Sequence, residues 1–123
     1  MGKILVVEDD AHILRVTSLW ITRHGYDVVQ AVNGADAQAI LREQPVDMVI
    51  SDINMPVMGG LELLRFVRTE IDAVIPYILL SSRCDQEEIV ESIASLNARL
   101  FPKPFVPSQL VAEIERLLGA ATR

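Results

Sequence analysis

Charged side chains follow three separate apolar runs of this 123-residue chain, and together they suit phosphoryl chemistry. One run ends in Glu8-Asp9-Asp10, a second ends in Asp52, and a third leads to Lys103, which lies between two prolines. Carboxylate oxygens attract a hard divalent cation. A lysine among them can hold an anion against that cation. This combination is typical of phosphoryl transfer onto a side chain, and not of hydride or acyl transfer.

The composition indicates one folded domain. A length of 123 residues points to a single domain, and an apolar content of 50% argues against a disordered chain. The apolar runs are far shorter than the roughly 20 residues of a membrane span, and the first residues lack a secretory signal. Cys84 is the single cysteine, which excludes an internal disulfide. The net charge of −6 argues against non-specific nucleic-acid binding. We therefore expect a cytoplasmic domain over residues 1–123, with its core at about 3–118 and no membrane contact.

Runs with strand character alternate with segments of helical periodicity along the chain. The predicted strands are Lys3–Val7, Tyr26–Ala31, Val46–Ser51, Ile75–Leu80 and Arg99–Phe101. The predicted helices are one capped by Asp10 and ended by Gly25, then Ala35–Glu43 after an Asn33-Gly34 turn, Leu61–Glu70, Asp85–Ser95, and one opened by Pro107. Such alternation implies a parallel sheet with helices on both faces. We predict a flavodoxin-like (βα)5 three-layer α/β sandwich with strand order 2-1-3-4-5.

The predicted strand order brings the acidic residues together. Ligands of open α/β sheets bind beyond the carboxyl ends of the strands, where the strand order reverses. In the order 2-1-3-4-5 this reversal lies between the first and third strands, which end in Glu8-Asp9 and Asp52. Topology and side-chain chemistry therefore select the same place.

With these elements the chain resembles the receiver domains of two-component response regulators. The matching residues, within a similarity from Lys3 to about Leu118, are Glu8-Asp9, Asp52 with Met55-Pro56 and Gly59-Gly60, Ser81, and Lys103-Pro104-Phe105. The resemblance implies that Asp52 takes a phosphoryl group from the phosphohistidine of a sensor histidine kinase or histidine phosphotransfer protein. It implies a phosphoryl acceptor that catalyses its own phosphorylation and dephosphorylation rather than a conventional enzyme. The signal would pass to a downstream protein or an attached effector domain.

The resemblance also assigns roles to the residues around the acceptor. The implied ligands of Mg²⁺ are Glu8, through water, Asp9, Asp52 and the backbone carbonyl of Asn54. Lys103 would pair with the phosphoryl oxygens, and Ser81 would hydrogen-bond to one of them. The Lys103-Pro104 peptide bond would be cis, a geometry that is accessible mainly before proline.

Two positions depart from the family's usual pattern. Leu100 stands three residues before the lysine, where receivers usually carry Tyr or Phe, and Leu96-Asn97 stands where a small Gly-Ala pair is common. Phe101 is adjacent to Leu100. Both departures affect the expected output face, so they bear on how a signal leaves the domain and not on phosphorylation.

Other interpretations stay open at this point. Asp10 fits a helix cap better than a metal ligand, and Ser81 and Ser82 fit either an active-site hydroxyl or a cap. The Asp52-Ile53-Asn54 segment resembles an aspartyl-nucleophile phosphatase of the haloacid dehalogenase type, although that class carries its motif after the first strand. A flavodoxin-like cofactor binder would need a phosphate loop where the chain has three acids. The domain could also be a regulatory module of a longer effector or hybrid kinase protein.

Overall fold

The computed structural model describes residues 2–55, 57–72, 74–81, 91 and 93–121. The strands are β1 (Lys3–Val7), β2 (Asp27–Ala31), β3 (Met48–Asp52), β4 (Tyr77–Ser81) and β5 (Arg99–Pro102). The helical elements are α1 (Ala11–Arg23), α2 (Gly34–Glu43), α3 (Gly60–Phe66), a π-helical turn (Val67–Ile71) that continues α3, and a C-terminal helix (Pro107–Ala121). All strand pairs are parallel and the order is β2-β1-β3-β4-β5. The predicted fold is confirmed.

Both faces of the sheet are buried under helices. Side chains of successive strand residues point to opposite faces, so β3 contributes Val49 to one apolar cluster and Ile50 to the other. The first cluster packs against α2 and α3, and the second packs against α1 and the C-terminal helix. The sheet is therefore the middle layer of three, and its polar ends are left for a site.

The loop after β1 is fixed by a helix cap. The Asp10 carboxylate accepts hydrogen bonds from the backbone N–H groups of His12 and Ile13 at 2.9 and 3.1 Å. These bonds satisfy donors that a helix start leaves unpaired. Gly25 follows the helix at φ 93°, a conformation that favours glycine. The predicted cap at Asp10 and the predicted end at Gly25 are confirmed.

Several element boundaries differ from the prediction. α2 begins at Gly34, because Asn33 acts as its N-cap and accepts a hydrogen bond from the Asp36 N–H at 2.8 Å, so the predicted Asn33-Gly34 turn is wrong. The third predicted helix changes to a π-helical turn after Phe66. β4 begins two residues late because the Ile75 N–H donates to the Asp72 carboxylate at 3.2 Å, and the following proline has no N–H.

The predicted fourth helix is described only at its end. Residues 82–90, which include Ser82, Cys84 and most of that helix, lie outside the described residues, as does Pro56. Helical residues occur at 91 and 93–95, and Ile93 is buried. The chain then turns at Asn97, at φ 57°, with hydrogen bonds from Ala98 N to Ile93 O and from Asn97 N to Ala94 O. These bonds form a Schellman-type helix end, with Asn97 in the left-handed position that Gly or Asn usually takes.

Within the described part of the chain, no helix is both long and apolar enough to cross a membrane.

Candidate functional site

Three carboxylates meet at the carboxyl ends of two neighbouring strands. Glu8 and Asp9 directly follow β1, and Asp52 is the last residue of β3. One oxygen from each lies within 4.8 Å of the others. Glu8 and Asp52 are 2% and 7% exposed, whereas Asp9 is open to solvent. The arrangement is a partly buried oxygen cluster at the predicted place, where the strand order reverses.

Lys103 contacts both buried carboxylates. Its Nζ lies 3.1 Å from Glu8 Oε1 and 3.4 Å from Asp52 Oδ1. The residue follows β5, and its backbone N–H donates to the carbonyl of Ser81 at 2.9 Å. The Lys103-Pro104 bond is cis, as predicted. The lysine thus bridges the ends of three strands that are distant in sequence.

Burial and mutual repulsion shift the ionisation of these groups. Burial, followed by the charge of Asp52, raises the pKa of Glu8 to about 7 against the opposing effect of Lys103. Burial likewise raises the pKa of Asp52, although Lys103 opposes the shift. Burial would lower the pKa of Lys103, but the two carboxylates outweigh it and the pKa is raised. One lysine against three carboxylates leaves the cluster short of positive charge, which favours a divalent cation.

The donor atoms fit a hard cation. Asp52, Asn54, Lys103 and Pro104 line an open cleft together with Ile13. Carboxylate, carbonyl and water oxygens are the ligands that Mg²⁺ prefers, usually with several waters retained. The exposed side of the cluster, at Asp9, leaves room for such waters. The residues predicted as Mg²⁺ ligands therefore form a set that is chemically suited to this ion.

Ser81 lies at the end of β4, beside the acceptor strand, whereas Asp10 lies at the start of α1. Ser81 ends β4, is 1% exposed, and follows Leu80, the partner of Asp52 in the sheet register. It is thus close in the fold to the acceptor strand, and its predicted contact with a phosphoryl oxygen stays a prediction. Asp10 caps α1, so the interpretation as a cap is the one that its contacts support.

The packing behind Asp52 depends on Gly60, which belongs to the matching Gly59-Gly60 pair, and on Tyr77, which no sequence motif singles out. A Cβ added to Gly60 would lie 2.3 Å from the Asp52 carbonyl oxygen, so only glycine fits there. The Tyr77 hydroxyl lies 2.7 Å from Ser51 Oγ and donates to the Gly60 carbonyl oxygen at 3.3 Å. Tyr77 precedes three apolar residues in β4, and its only sequence signal is a hydroxyl that must find a partner when buried.

Comparison with known proteins agrees with this geometry. Residues 4–115 match the family model described as the response regulator receiver domain. The chain is 36% identical to the response regulator receiver protein CpdR of Brucella abortus, over 98% of this chain and 100% of that protein. It is 33% identical to the transcriptional regulatory protein PrrA of Mycobacterium bovis, over 94% of this chain and 49% of PrrA. The chain thus spans about half the length of several of its curated relatives.

A solved structure shows the same fold with a metal. The receiver domain of the sensor histidine kinase PA1611 from Pseudomonas aeruginosa PAO1 superposes with a TM-score of 0.84 at 26% identity, over 96% of this chain and 98% of that one. That structure has a magnesium ion coordinated in its active-site cleft. Since the family model covers nearly the whole chain, this protein belongs to the response regulator receiver domains of two-component signalling.

Proposed function

We propose that Asp52 accepts a phosphoryl group from a phosphohistidine on a sensor histidine kinase or a histidine phosphotransfer protein. The observation that carries the proposal is the position of Lys103 Nζ, 3.4 Å from Asp52 Oδ1 and within reach of Glu8. An isolated carboxylate is a poor nucleophile toward an anionic phosphorus. Lys103 supplies positive charge at the place where the phosphoryl oxygens must sit.

The transfer forms one bond and breaks one. An Asp52 carboxylate oxygen attacks phosphorus in line with the scissile P–N bond, and the imidazole leaves with the bonding electron pair and takes up a proton. Lys103 holds the phosphoryl oxygens, and Ser81 donates its hydroxyl hydrogen to one of them. When bound by Glu8 (through water), Asp9, Asp52 and the Asn54 carbonyl, Mg²⁺ would neutralise charge on those oxygens. We regard the domain as a phosphoryl acceptor with self-catalysed turnover and not as a conventional enzyme.

Intact mass after incubation with acetyl phosphate and Mg²⁺ tests the assignment. We expect wild-type protein to gain the mass of one phosphoryl group and Asp52→Asn to gain none. Asp27→Asn, which makes the same charge change at an exposed residue at the other end of the sheet, serves as the matched control and should behave like wild type. An equal mass gain in Asp52→Asn would refute the assignment of Asp52 as the phosphoryl acceptor. A mass gain that is equal in the presence of a chelator would refute the requirement for Mg²⁺.

The family and the lengths of its members support a proposal about the partners. CpdR matches along its whole length, whereas PrrA is about twice as long as the matched region. We propose that the domain occupies residues 1–123, meets its kinase in the cytoplasm, and signals to a downstream protein or to an effector domain. We assign it no direct nucleic-acid contact, in keeping with its net charge of −6.

Output should differ from that of receivers with an aromatic residue at position 100. Leu100 packs on the α2 and α3 side of the sheet, whereas Phe101 packs against the opposite apolar cluster. The rings of Phe101 and Phe105 meet edge to face, with 6.2 Å between their centroids. Phe101 therefore cannot take the place of a ring at position 100. Small differential contacts shift a two-state equilibrium only slightly. We propose a weak or differently routed response to phosphorylation.

Chemical-shift mapping with the phosphoryl mimic beryllofluoride tests this route. We expect changes near the site and in β4, with small changes across β5 and the C-terminal helix. The control is Leu100→Ala, which should reduce those small changes further. Large two-state shifts over β5 and the C-terminal helix that persist in Leu100→Ala would contradict the reasoning.

A further inference from the structure

The hydroxyl of Tyr77 sits at the meeting point of two elements that flank the acceptor. Tyr77 is the first residue of β4, pairs with Val49 of β3, and is 1% exposed. Its ring runs along the sheet toward the site end, where the hydroxyl lies 2.7 Å from Ser51 Oγ and 3.3 Å from the Gly60 carbonyl oxygen. A buried tyrosine hydroxyl needs partners, and here it has two.

The two partners mark the two ends of one loop. Ser51 directly precedes Asp52, the last residue of β3, and Gly60 is the first residue of α3, so Asp52 and the loop of residues 53–59 lie between them. This loop carries Asn54, whose backbone carbonyl is a proposed metal ligand. The Gly60 N–H also donates to the Ile53 carbonyl at 2.9 Å, which closes the base of the loop.

The hydrogen bonds are consistent with a single directed chain. Tyr77 has one hydrogen to donate, and it goes to the Gly60 carbonyl. The Ser51 hydroxyl can then donate to the Tyr77 oxygen, which leaves each buried hydroxyl satisfied. Burial raises the pKa of Tyr77, so the hydroxyl stays protonated and keeps its donor at neutral pH.

We propose that Tyr77 is a positioning residue, which ties β3 to the start of α3 and so holds the Asp52 carboxylate and the Asn54 carbonyl in the geometry that binds Mg²⁺. This role rests on the proposed function, because it concerns the same site. Tyr77 acts through Ser51 and Gly60, and its hydrogen bonds go to these two residues.

Amide hydrogen exchange in the metal-free protein tests the tether directly. Tyr77→Phe removes only the hydroxyl, and we expect exchange of the Gly60 N–H to become about tenfold faster, the effect of one net hydrogen bond. The matched control is Ile78→Val, which trims a fully buried neighbour on the opposite face of the same strand. The control should lose comparable global stability without a selective change at Gly60. Equal exchange at Gly60 in Tyr77→Phe and Ile78→Val would overturn the tether.

A Mg²⁺ titration of phosphorylation by acetyl phosphate tests the consequence for the site. In Tyr77→Phe we expect the Mg²⁺ concentration at half-maximal rate to rise about three- to tenfold, while the rate at saturating Mg²⁺ changes less than about twofold. Ser51→Ala should have a similar effect, and the double variant should add little to it, because both changes break one chain of bonds. Unchanged Mg²⁺ dependence in both single variants would overturn the proposal.

The two arms separate the failure of this inference from that of the proposed function. If wild-type protein takes up no phosphoryl group, the proposed function fails, and the exchange measurement on metal-free protein still decides whether the tether exists. If wild-type protein is phosphorylated and the variants match it in both arms, only the role of Tyr77 fails. Should Tyr77→Phe not fold, Ser51→Ala breaks the same chain from its other end and decides the question.

Discussion

Adding one methyl group at Gly60 should disturb the acceptor from behind. Gly60 opens α3, and a Cβ there would lie 2.3 Å from the Asp52 carbonyl oxygen, 2.8 Å from Leu79 Cδ2 and 2.9 Å from Ile53 Cα. Two of these three atoms belong to the backbone, so a side-chain rotation alone cannot relieve the overlap. In Gly60→Ala, either α3 or the end of β3 must move.

The size of the effect follows from two opposing terms. Forcing a methyl group into a packed site typically costs about 1–3 kcal/mol. Replacing glycine by alanine in a helix returns up to about 1 kcal/mol. We expect Gly60→Ala to lower the free energy of unfolding by about 1–2 kcal/mol, or the Tm by roughly 4–8 °C for a domain of this size.

Gly119→Ala is the matched control for this measurement. Gly119 also lies in a helix, but an added Cβ there meets nothing within 4 Å. Thermal unfolding followed by circular dichroism should show a Tm that is unchanged or raised by a few degrees, because alanine favours helix by about 0.5–1 kcal/mol. If both variants gained stability alike, the tight packing of α3 against Asp52 would be refuted.

Three further substitutions test other features. Val57 is 80% exposed at φ 70°, a strained conformation for a β-branched residue. Val57→Asn should therefore raise the free energy of unfolding, measured by urea denaturation, by about 0.5–1 kcal/mol. A lower free energy of unfolding in this variant would contradict the claim that Val57 is strained. Ser18 Oγ is buried without a hydrogen-bond partner among the described residues. Ser18→Ala should raise the free energy of unfolding by about 1 kcal/mol in the same assay. A lower free energy of unfolding would show that the Ser18 hydroxyl does have a hydrogen-bond partner. Because burial raises the pKa of Glu8 from 4.5 to about 7, the folded state keeps a proton that the unfolded chain has lost. The free energy of unfolding of metal-free protein should therefore fall as the pH rises from about 4.5 to about 7, by on the order of 3 kcal/mol from this group. Glu8→Gln should make this pH dependence flatter. An unchanged slope in Glu8→Gln would show that Glu8 is not its source.

Much of the fold could be predicted because its signals are local. Ile4–Val7 is an uninterrupted apolar run between Lys3 and Glu8, and the predicted bounds of β1, Lys3–Val7, are the observed ones. The capping carboxylate of Asp10 and the glycine at position 25 likewise act on their own neighbours in sequence. Alternation of strands and helices predicted a parallel sheet, whereas the order 2-1-3-4-5 was taken from the flavodoxin-like pattern that the chain resembles.

The site could be predicted in position but not in its supporting contacts. Polar residues at the ends of apolar runs must lie at one edge of a parallel sheet, which placed Glu8, Asp52 and Lys103 together before their distances were known. The link from Tyr77 to Ser51 and Gly60 spans 26 and 17 residues, so no local pattern reveals it. Such contacts depend on the tertiary packing of β3, β4 and α3.

Element boundaries were missed for the same reason. Val46 packs against the core without joining β3, since strand pairing begins at Met48 opposite Ile4. The apolar pattern after Phe66 fits an α-helix, but the chain there forms a π-helical turn. Within this turn, Arg68 donates to the carbonyls of Leu96 and Asn97 at 2.7 and 3.1 Å, contacts that are remote in sequence.

Locating the phosphoryl group within the chain tests the central claim most directly. Borohydride reduces an aspartyl phosphate to homoserine, which marks the modified residue for tandem mass spectrometry of its peptide. After incubation with acetyl phosphate and Mg²⁺, the account predicts homoserine at position 52 and unmodified aspartate at positions 9 and 10. Homoserine at position 9 or 10, or its absence from position 52 in protein that carries the added mass, would contradict it.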